Sequence, residues 1–496
     1  MNRCSAPQKD AALKTAGLIA AALSLLMLAG CPAVGPDYVR PETELPPAWH
    51  SQTQDGLTPA TPEPQALANW WTTLDDPMLA SLIQRAADGN LDLQTAQARV
   101  REARARRGIS QADFYPSLDA GASATKVRSS AGTGFGRRTE LYETGFDALW
   151  ELDVFGGVRR SVEAADADLQ ASQEDLGSVL VSLLAEVALN YIDVRTLQTR
   201  ITVAVANAQA QEETYQLTRS RYEAGLTDEL AVQSALYTLA GTRAEIPVLR
   251  TGLESAMNRL AVLLGVAPGV LHAELRVPSD IPVPPVSVAV GVPADTIRRR
   301  PDVRRAERQL AAQTALIGVA TADLYPRFVL LGSLGYEALS TGDLFSSGSL
   351  AWRIGPQVSW RLFSGGAVRQ NIEVQSARQE QTLKQYQATV LGALEEAENT
   401  LTAYIGEQAR RDALVTATQA AAQAFQLARD QYQAGLVDFS EVLIAQRSLL
   451  SFEDQLALST GAVTANLVRI YKSLGGGWAV PAPDKDAGAE AAAQAR

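Results

Sequence analysis

The amino-acid sequence is written twice, and this internal duplication constrains the fold more than any other feature. The segment Ala-Asp-Phe-Tyr-Pro at 112–116 recurs 210 positions later as Ala-Asp-Leu-Tyr-Pro, and Trp150 recurs as Trp360. The segment Tyr-Glu-Ala-Gly-Leu at 222–226 recurs as Tyr-Gln-Ala-Gly-Leu at 432–436, again with an offset of 210. Chance would not preserve one offset across separate landmarks, so the chain contains two copies of one structural unit.

The duplication also sets the expected domain organisation. Two Pro-rich segments flank the first copy and show little hydrophobic periodicity, which is typical of extended or linking chain. The expected divisions are an export signal peptide at 1–30, an extended arm at 31–75, a first repeat at 76–264, a connector at 265–298, a second repeat at 299–475 and a flexible tail at 476–496.

Each copy contains helices of unusual length. No proline occurs from 117 to 246 or from 357 to 480, and these stretches are rich in good helix formers. At 1.5 Å per residue, a helix over 157–224 would extend about 100 Å, and helices over 90–114 and 226–264 together nearly match it. The two shorter helices could therefore stack end to end beside the long one, which suits a coiled-coil-like shell.

Four segments alternate between apolar and polar residues, as strands do. In the second of them, one face carries Tyr142, Phe146 and Trp150, and the other carries Glu143, Asp147 and Glu151. A half-buried soluble sheet alternates in the same way. However, these strands are long enough to span a membrane when tilted, and aromatic residues lie near their ends. We therefore expect outer-membrane barrel strands at 117–128, 139–154, 327–338 and 349–363.

A single chain cannot complete such a barrel. Four strands do not close, and an open sheet edge is not tolerated in lipid. Identical chains around an axis would each contribute four strands. Three copies would give twelve strands, an even number within the range of known outer-membrane barrels. The expected fold class is therefore an α+β membrane protein, with a trimeric 12-stranded outer-membrane β-barrel, built from an internal duplication.

The N-terminus has the organisation of an export signal. An apolar stretch at Ala16–Met27 is too short for a confident membrane span, and it follows the basic residues Arg3, Lys9 and Lys14. It ends in Leu-Ala-Gly-Cys, which resembles a bacterial lipobox in which Cys31 receives lipid. Pro32 replaces the aspartate that usually retains lipoproteins in the inner membrane, so outer-membrane delivery is favoured. The alternative is an ordinary cleaved signal with a cysteine nearby.

Composition excludes several classes of function. The chain has 44 Lys and Arg against 55 Asp and Glu, a formal net charge of −11, which argues against a nucleic-acid-binding protein. With 2 Cys and 2 His, a zinc site or a disulfide scaffold is not expected, and neither is any cofactor. No convergent catalytic set is visible, so we do not expect an enzyme.

Together these motifs resemble the outer-membrane factors of the TolC/OprM type, specifically the lipoprotein branch that serves RND-type efflux pumps. The resemblance covers about residues 31–478. Its landmarks include the lipobox, Trp70-Trp71, Arg300-Pro301-Asp302 and the paired Tyr-x-Ala-Gly-Leu-x-Asp motifs. It implies a homotrimer whose barrel is continuous with a 12-helix periplasmic α-barrel. It also implies a periplasmic adaptor protein and an inner-membrane RND transporter as partners, and passive conduction of drugs or other small molecules.

The resemblance also suggests functional residues at the two glycine turns. The adaptor would dock at Ala224, Gly225 and Leu226 and at Ala434, Gly435 and Leu436. A periplasmic gate would be formed by a carboxylate ring of Glu441, helped by Asp438, with Asp228 or Asp438 as the alternative if Glu441 does not set the aperture. Arg221, Tyr222 and Tyr432 would latch helices together. Ile444 departs from the family pattern, which has a second acidic residue there. Asp438 could instead be a helix N-terminal carboxylate. Either Arg221→Ala or Tyr432→Phe is expected to loosen the latch.

Two other interpretations remain open at this point. A type I secretion exit duct would conduct polypeptides, although the lipobox favours small-molecule efflux. A structural periplasmic coiled-coil lipoprotein would have long helices, but its strands would not alternate with rows of aromatic residues.

Overall fold

The computed structural model describes residues 33–42, 45–51, 56–61, 63–134, 136–285 and 287–478. The signal peptide, Cys31 and most of the 476–496 tail lie outside these residues. The chain divides into two compact units. The strand unit comprises described residues up to Pro41, Val100–Ala171 and Ala306–Tyr386, and the helical unit comprises Glu42–Arg99, Ser172–Arg305 and the described residues from Gln387 onward.

The first part of the chain forms three strands, six α-helices and one 3-10 helix among its described residues. In chain order these are β1 (Leu57–Thr58), α1 (Pro64–Ala68), a 3-10 helix (Trp70–Leu74), α2 (Pro77–Gly89), α3 (Leu91–Ala112), β2 (Ser117–Arg128), α4 (Ala131–Gly134), β3 (Arg138–Leu152), α5 (Gly157–Glu223) and α6 (Glu229–Leu263).

The connector and the second repeat follow. In chain order their elements are α7 (His272–Leu275), β4 (Val288–Ala289), α8 (Pro293–Arg299), α9 (Pro301–Ala322), β5 (Arg327–Ala338), a 3-10 helix (Ser347–Ser349), β6 (Leu350–Ser359), α10 (Ala367–Gln433) and α11 (Phe439–Ser473).

The helices of the two repeats correspond residue for residue. Helices α5 and α10 each contain 67 residues, and α6 and α11 each contain 35. Helices α3 and α9 each contain 22 residues and also begin 210 positions apart. The structure therefore has the duplicated helical framework that the sequence predicts, with boundaries shifted by at most three residues.

The strand unit contains a four-stranded antiparallel sheet in the order β2-β3-β5-β6. Residues directly opposite one another share a face, so the register aligns Ala120, Phe146, Leu334 and Trp352 in one row. The row Asp119, Asp147, Ser333 and Arg353 lies on the opposite face. One face of the sheet is therefore apolar, and the other is mixed, since it also carries Leu149 opposite Leu331. The apolar side chains are exposed: Phe146 is 54 % and Trp352 71 % accessible.

The last strand is shorter than the sequence predicts. We expected it at 349–363, but β6 ends at Ser359, opposite Arg327 at the start of β5. Trp360, just beyond it, donates from Nε1 to the Leu324 carbonyl oxygen at 3.0 Å, and Trp150 donates equivalently to the Phe114 oxygen at 2.8 Å. These tryptophans thus bond to the last turn before each Tyr-Pro motif, where backbone carbonyls have no helical partner.

In the helical unit, each returning helix meets the start of a shorter helix. Asn90 precedes α3, and its Nδ2 donates to the Leu263 carbonyl oxygen at the end of α6 at 2.8 Å. Arg300, the repeat counterpart of Asn90, precedes α9 and donates from Nη1 to the Ser473 carbonyl oxygen at the end of α11, also at 2.8 Å. The end-to-end stacking is therefore present at both junctions, and a side chain satisfies a terminal carbonyl at each.

The prediction of an extended arm at residues 31–75 is partly wrong. Helix α1 and the following 3-10 helix cover most of 64–74, and Leu67, Trp70 and Leu74 are buried. Trp70 is only 1 % exposed and stacks on Tyr471, with ring centroids 5.4 Å apart. The three apolar residues recur at helical spacing, so burial of one helical face stabilises the segment despite its proline content.

The connector is also more ordered than its prolines suggest. Strand β4 pairs in parallel with β1. Helix α8 lies 210 positions after the C-terminal half of α2, so it is the counterpart of that half. The second structural repeat therefore begins near residue 293 rather than 299. Both α2 and α8 begin with a proline, which is favoured at the first helical position because the backbone N–H there has no partner within the helix.

Candidate functional site

The two glycine turns have the same conformation. Helix α5 is followed by Gly225 with φ of 73°, and α10 by Gly435 with φ of 75°. Leu226 N donates to the Arg221 oxygen at 2.8 Å, and Leu436 N donates to the Gln431 oxygen at 2.9 Å. This six-to-one bond after a left-handed glycine defines a Schellman helix end, which favours glycine because a side chain would be strained.

The turns present apolar side chains to solvent. Leu226 is 68 % and Leu436 75 % exposed, and Ala224 and Ala434 are also exposed. No heavy atom lies within 4 Å of a Cβ built on either turn glycine. Each chain thus displays two similar, open turns with a leucine at the tip.

The two aspartates after the turns differ although they occupy equivalent positions. Asp228 caps α6, and its Oδ1 accepts a hydrogen bond from Ala231 N at 2.9 Å. Asp438 occupies the same place before α11, but its side chain makes no capping hydrogen bond. Asp438 therefore lies at the helix N-terminus, where the helix dipole favours a carboxylate, but only Asp228 adds a capping hydrogen bond.

A buried apolar cluster holds the two helical hairpins together near the turns. It contains Phe425, Tyr432, Phe439, Val442 and Leu443 from the second hairpin and Ala231 and Ala235 from α6. The rings of Tyr432 and Phe439 have centroids 5.3 Å apart. Phe439 and Phe425 were not predicted as core residues, although aromatic residues beside a glycine turn could have indicated a core.

Arg221 connects the two hairpins. Its guanidinium carbon lies 4.5 Å from the centroid of the Tyr432 ring, and its Nη1 donates to the Tyr432 carbonyl oxygen at 3.3 Å. The Tyr432 hydroxyl is buried and has no hydrogen-bond partner among the residues that the structure describes. Arg221 therefore uses the ring and backbone of Tyr432, so Tyr432→Phe does not remove this contact, contrary to the sequence-based expectation.

Tyr222 does not take part in this contact. Its side chain is 43 % exposed, whereas its repeat counterpart Tyr432 is 6 % exposed. Gln431 replaces Arg221 in the second copy. The Arg221–Tyr432 contact therefore has no equivalent at the same positions of the other copy.

Helix α11 has an exposed face that begins with Glu441. Ile444, one turn later, is 58 % exposed, and Arg447 follows at the same spacing. Arg447 lies over the Tyr237 ring at 5.0 Å and donates to Thr238 Oγ1 at 3.2 Å, which joins α11 to α6. Tyr237 and Arg447 are repeat counterparts, a contact that the sequence did not reveal. Among the described residues, no acidic, histidine or cysteine group is arranged to hold a metal ion.

The segment nearest the expected lipid attachment site is held within the strand unit. Val34 N donates to the Phe155 oxygen at 3.0 Å, between β3 and α5. Arg160 donates from Nη2 to Asp37 Oδ1 at 2.6 Å. A Cβ on Gly35 would lie 2.4 Å from the Gly318 Cα, so the two backbones approach as only glycines permit. The chain is therefore fixed three residues after Cys31.

Similarity to known proteins assigns the family. The model of the outer membrane efflux protein family matches residues 82–266 and 292–476. These two matches again begin 210 positions apart, in agreement with the duplication.

Individual relatives cover nearly the whole chain. Nodulation protein T of Rhizobium leguminosarum bv. trifolii is 33 % identical over 87 % of this chain and 91 % of its own. The solvent efflux pump outer membrane protein SrpC of Pseudomonas putida is 31 % identical over 92 % of this chain and 97 % of its own. The solved outer-membrane channel OprN is 39 % identical, with a TM-score of 0.85, over 90 % of this chain and 100 % of its own. The chain therefore belongs to the outer membrane efflux protein family and is an outer-membrane efflux channel protein.

Proposed function

We propose that three copies of this chain close a twelve-stranded barrel and form the exit duct of a tripartite efflux pump. The observation that carries this proposal is the four-stranded sheet, whose exposed apolar face is suited to lipid. Its edge strands β2 and β6 have no further strand partner among the described residues. Unpaired backbone groups are not tolerated in the hydrocarbon region. Edge-to-edge pairing of three sheets satisfies both edges of each.

The long helices would form the periplasmic part of the duct. In the trimer, each chain contributes α5, α10 and two stacked pairs, α3 with α6 and α9 with α11, which gives twelve helical columns. The side-chain bonds from Asn90 and Arg300 support this assignment because they make each stacked pair continuous.

The open turns are the proposed docking site for a periplasmic adaptor protein, which would link the duct to an inner-membrane RND transporter. Leu226 and Leu436 are exposed at equivalent positions, so a trimer would display six similar apolar tips. A partner with repeated helical hairpins would match this arrangement. The relatives' efflux names support small molecules rather than polypeptides as the conducted substrates.

Gly435→Val is expected to lower export of a test compound severalfold while leaving the trimer assembled. Valine at φ of 75° is strained by about 1–3 kcal/mol, and no heavy atom outside the turn lies within 4 Å of the added Cβ, so we expect the effect to stay within the turn. Export is measured in cells, and assembly by sizing in detergent. Gly435→Asn is the matched variant, because asparagine tolerates this conformation.

Both outcomes of that pair are informative. If Gly435→Asn retains export and Gly435→Val loses it, the conformation of the turn is required. Unchanged export by Gly435→Val would show that this turn is not an adaptor contact.

The exposed carboxylates after the second turn are the proposed gate. Three copies of Glu441 near the axis would attract cations, and Asp438 would assist, because its side chain makes no capping hydrogen bond whereas that of Asp228 does. Ile444 would supply an apolar ring one turn further along α11. Only charges within about 8–10 Å of the axis act strongly on permeating ions at ordinary salt.

Glu441→Ala is expected to reduce cation preference in planar-bilayer recordings and to weaken block by a trivalent cation added from the periplasmic side. Glu441→Gln keeps the size of the side chain and should give the same result if charge is the cause. Glu229→Ala is the control, since Glu229 also lies in the first turn after an aspartate, in α6. If selectivity and block both persist in Glu441→Ala, Asp438 becomes the better candidate.

Lipidation at Cys31 is the proposed second membrane attachment. The fixed path from Val34 onward supports it, because the acyl chains would then enter the membrane close to the end of β3. Cys31→Ala should weaken membrane anchoring but leave barrel insertion possible, since several acyl chains and a barrel are separate attachments. Mass spectrometry of the mature N-terminus tests this, and an unmodified chain that begins elsewhere would contradict it.

A further inference from the structure

Two arginines lie opposite each other at the end of the β2–β3 hairpin that is remote from α3 and α5. Strand β2 ends at Arg128 and β3 begins at Arg138, and the antiparallel register pairs these two residues directly. Both side chains are exposed. Directly opposite residues share one face of a sheet, with their Cβ atoms about 4.5–5.5 Å apart, and like charges there destabilise the pair. The arrangement therefore favours an anion between the two guanidinium groups.

The charges of these two arginines are not neutralised within the part of the chain that the structure describes, because neither residue forms an ion pair there. Glu140 lies on the same face, two positions further along β3, but it is already paired with Lys126 directly opposite. The Tyr142 hydroxyl also donates to Glu140 Oε2, at 3.2 Å. The acidic residue beside the arginines is therefore occupied, and the two cations require a partner from outside the described chain.

The arginines continue the apolar face of the sheet. Alternate residues of a strand share a face, so Arg138 lies on the side that carries Tyr142, Phe146 and Trp150. The strand from Trp150 to Tyr142 extends about 27 Å, or about 20 Å in height if it is tilted by about 40°, which suits an apolar band between two aromatic girdles. On the same geometry Arg138 lies about 10 Å above Tyr142, at the level of lipid headgroups.

The arginine pair belongs to the first copy of the repeat alone. The residues 210 positions after Arg128 and Arg138 are Ala338 and Gly348, which carry no charge. Each chain therefore has one such pair, and three copies of the chain would have three.

We propose that Arg128 and Arg138 together bind a phosphate group of a lipid in the outer leaflet of the outer membrane, with the acyl chains of that lipid against the apolar face below. Guanidinium groups bind phosphate oxygens through paired, charge-assisted hydrogen bonds, and two of them can hold one phosphate group from both sides. The proposal rests on the proposed barrel, which places this end of the hairpin at the outer surface. A lipid suits the site better than a free anion, because the apolar face and the two cations are continuous.

Native mass spectrometry of the full-length protein tests this site. The protein is purified from outer membranes in mild detergent, freed of bound lipid and titrated with lipid A, a glycolipid with two phosphate groups. The wild type is expected to bind one lipid A molecule per chain at the lowest concentrations. Arg128→Gln with Arg138→Gln in the same chain should raise the dissociation constant at least tenfold, because glutamine supplies no charge to the phosphate group.

Arg137→Gln is the matched control. Arg137 is also exposed, and its carbonyl oxygen accepts a hydrogen bond from Ser129 N at 2.9 Å, so it continues the ladder by one position. Alternation then places its side chain on the face opposite Arg138. Its dissociation constant for lipid A should equal that of the wild type. An equal loss of affinity in Arg137→Gln would overturn the specific role of the Arg128–Arg138 pair.

Two further ligands separate the phosphate from the lipid. Lipid A without its phosphate groups should bind the wild type at least tenfold more weakly than intact lipid A, and inorganic phosphate should compete at least tenfold more weakly. Equal binding of the dephosphorylated lipid would overturn recognition of phosphate. Equal competition by inorganic phosphate would overturn the lipid as the occupant.

The same spectra count the chains in each assembly, so failure of the barrel and failure of the site can be told apart. A wild type with other than three chains would contradict the barrel. Equal lipid A affinity of a trimeric wild type and a trimeric double variant would overturn the arginine site alone. If the double variant does not assemble, Arg128→Gln and Arg138→Gln are compared singly. Each should weaken binding severalfold, and unchanged affinity in both would equally overturn the site.

Discussion

Arg300→Ala is expected to lower the free energy of unfolding by about 3–5 kcal/mol, which is the usual cost of removing one partner of a buried ion pair. Arg300 is 8 % exposed and bonds both to Asp302, at 2.8 Å, and to Glu396, at 2.6 Å. It also donates to the Ser473 oxygen at the end of α11. Alanine would leave two partly buried carboxylates and a helix-terminal carbonyl without this partner. Chemical denaturation followed by helical circular dichroism measures the loss.

Arg85→Ala is the control for removing an arginine. Its bridge to Glu274 is partly exposed, with side chains 38 % and 33 % accessible, so its loss should cost less than about 1 kcal/mol. Equal effects of the two substitutions would contradict a special role for the Arg300 junction.

The same junction predicts a pH dependence. Burial raises the pKa of the Asp302 carboxyl, but the hydrogen bonds and charge of Arg300 outweigh it, so the net pKa is lowered. A lowered pKa in the folded state means that the contribution of Asp302 is present above its unfolded pKa of about 3.9 and is lost as pH falls below it. The stability of Asp302→Asn should therefore fall less steeply in acid than that of the wild type.

Arg221→Ala is expected to raise the resting conductance of the purified channel, because more channels would be open. If closure depends on the Arg221–Tyr432 contact, losing a partly desolvated cation–π contact of about 1–2 kcal/mol would increase the ratio of open to closed channels roughly five- to thirtyfold. Planar-bilayer recording at fixed voltage measures the open fraction. Tyr432→Leu should act in the same direction because it removes the ring.

Tyr432→Phe is the matched control. The hydroxyl has no hydrogen-bond partner among the described residues, and phenylalanine keeps the ring and the backbone carbonyl that Arg221 uses. Its open fraction should stay close to that of the wild type. If Tyr432→Phe opens the channel as much as Arg221→Ala, the latch depends on the hydroxyl, and the contact described here is not its basis.

The periodic features of this fold could be predicted from the sequence because they repeat. Strand alternation, the long helices and the glycine turns each reflect local conformational preferences, and the 210-residue offset transfers them from one copy to the other. Gly225 and Gly435 illustrate this: a glycine between two helical segments indicates a left-handed helix end without knowledge of the tertiary contacts.

The contacts that break the repeat symmetry could not be predicted in this way. Asp228 and Asp438 are identical in sequence, but only Asp228 caps its helix, and α11 instead begins with Phe439, which is drawn into the buried cluster. Arg300 was visible as a motif, whereas its bond to Ser473 joins residues far apart in sequence. The helical segment around Trp70 was not predicted, because the proline content of this region argues against a helix. The packing of Trp70 on Tyr471, which stabilises the segment, cannot be read from the sequence.

In the proposed duct, one chain supplies one third of a closed barrel. Native mass spectrometry of the protein extracted from outer membranes in mild detergent measures this stoichiometry, because it counts the chains in each intact assembly. Three sheets of four strands predict a single dominant species with the mass of three mature chains. A dominant monomer, dimer or tetramer would contradict the twelve-stranded barrel and, with it, the proposed duct.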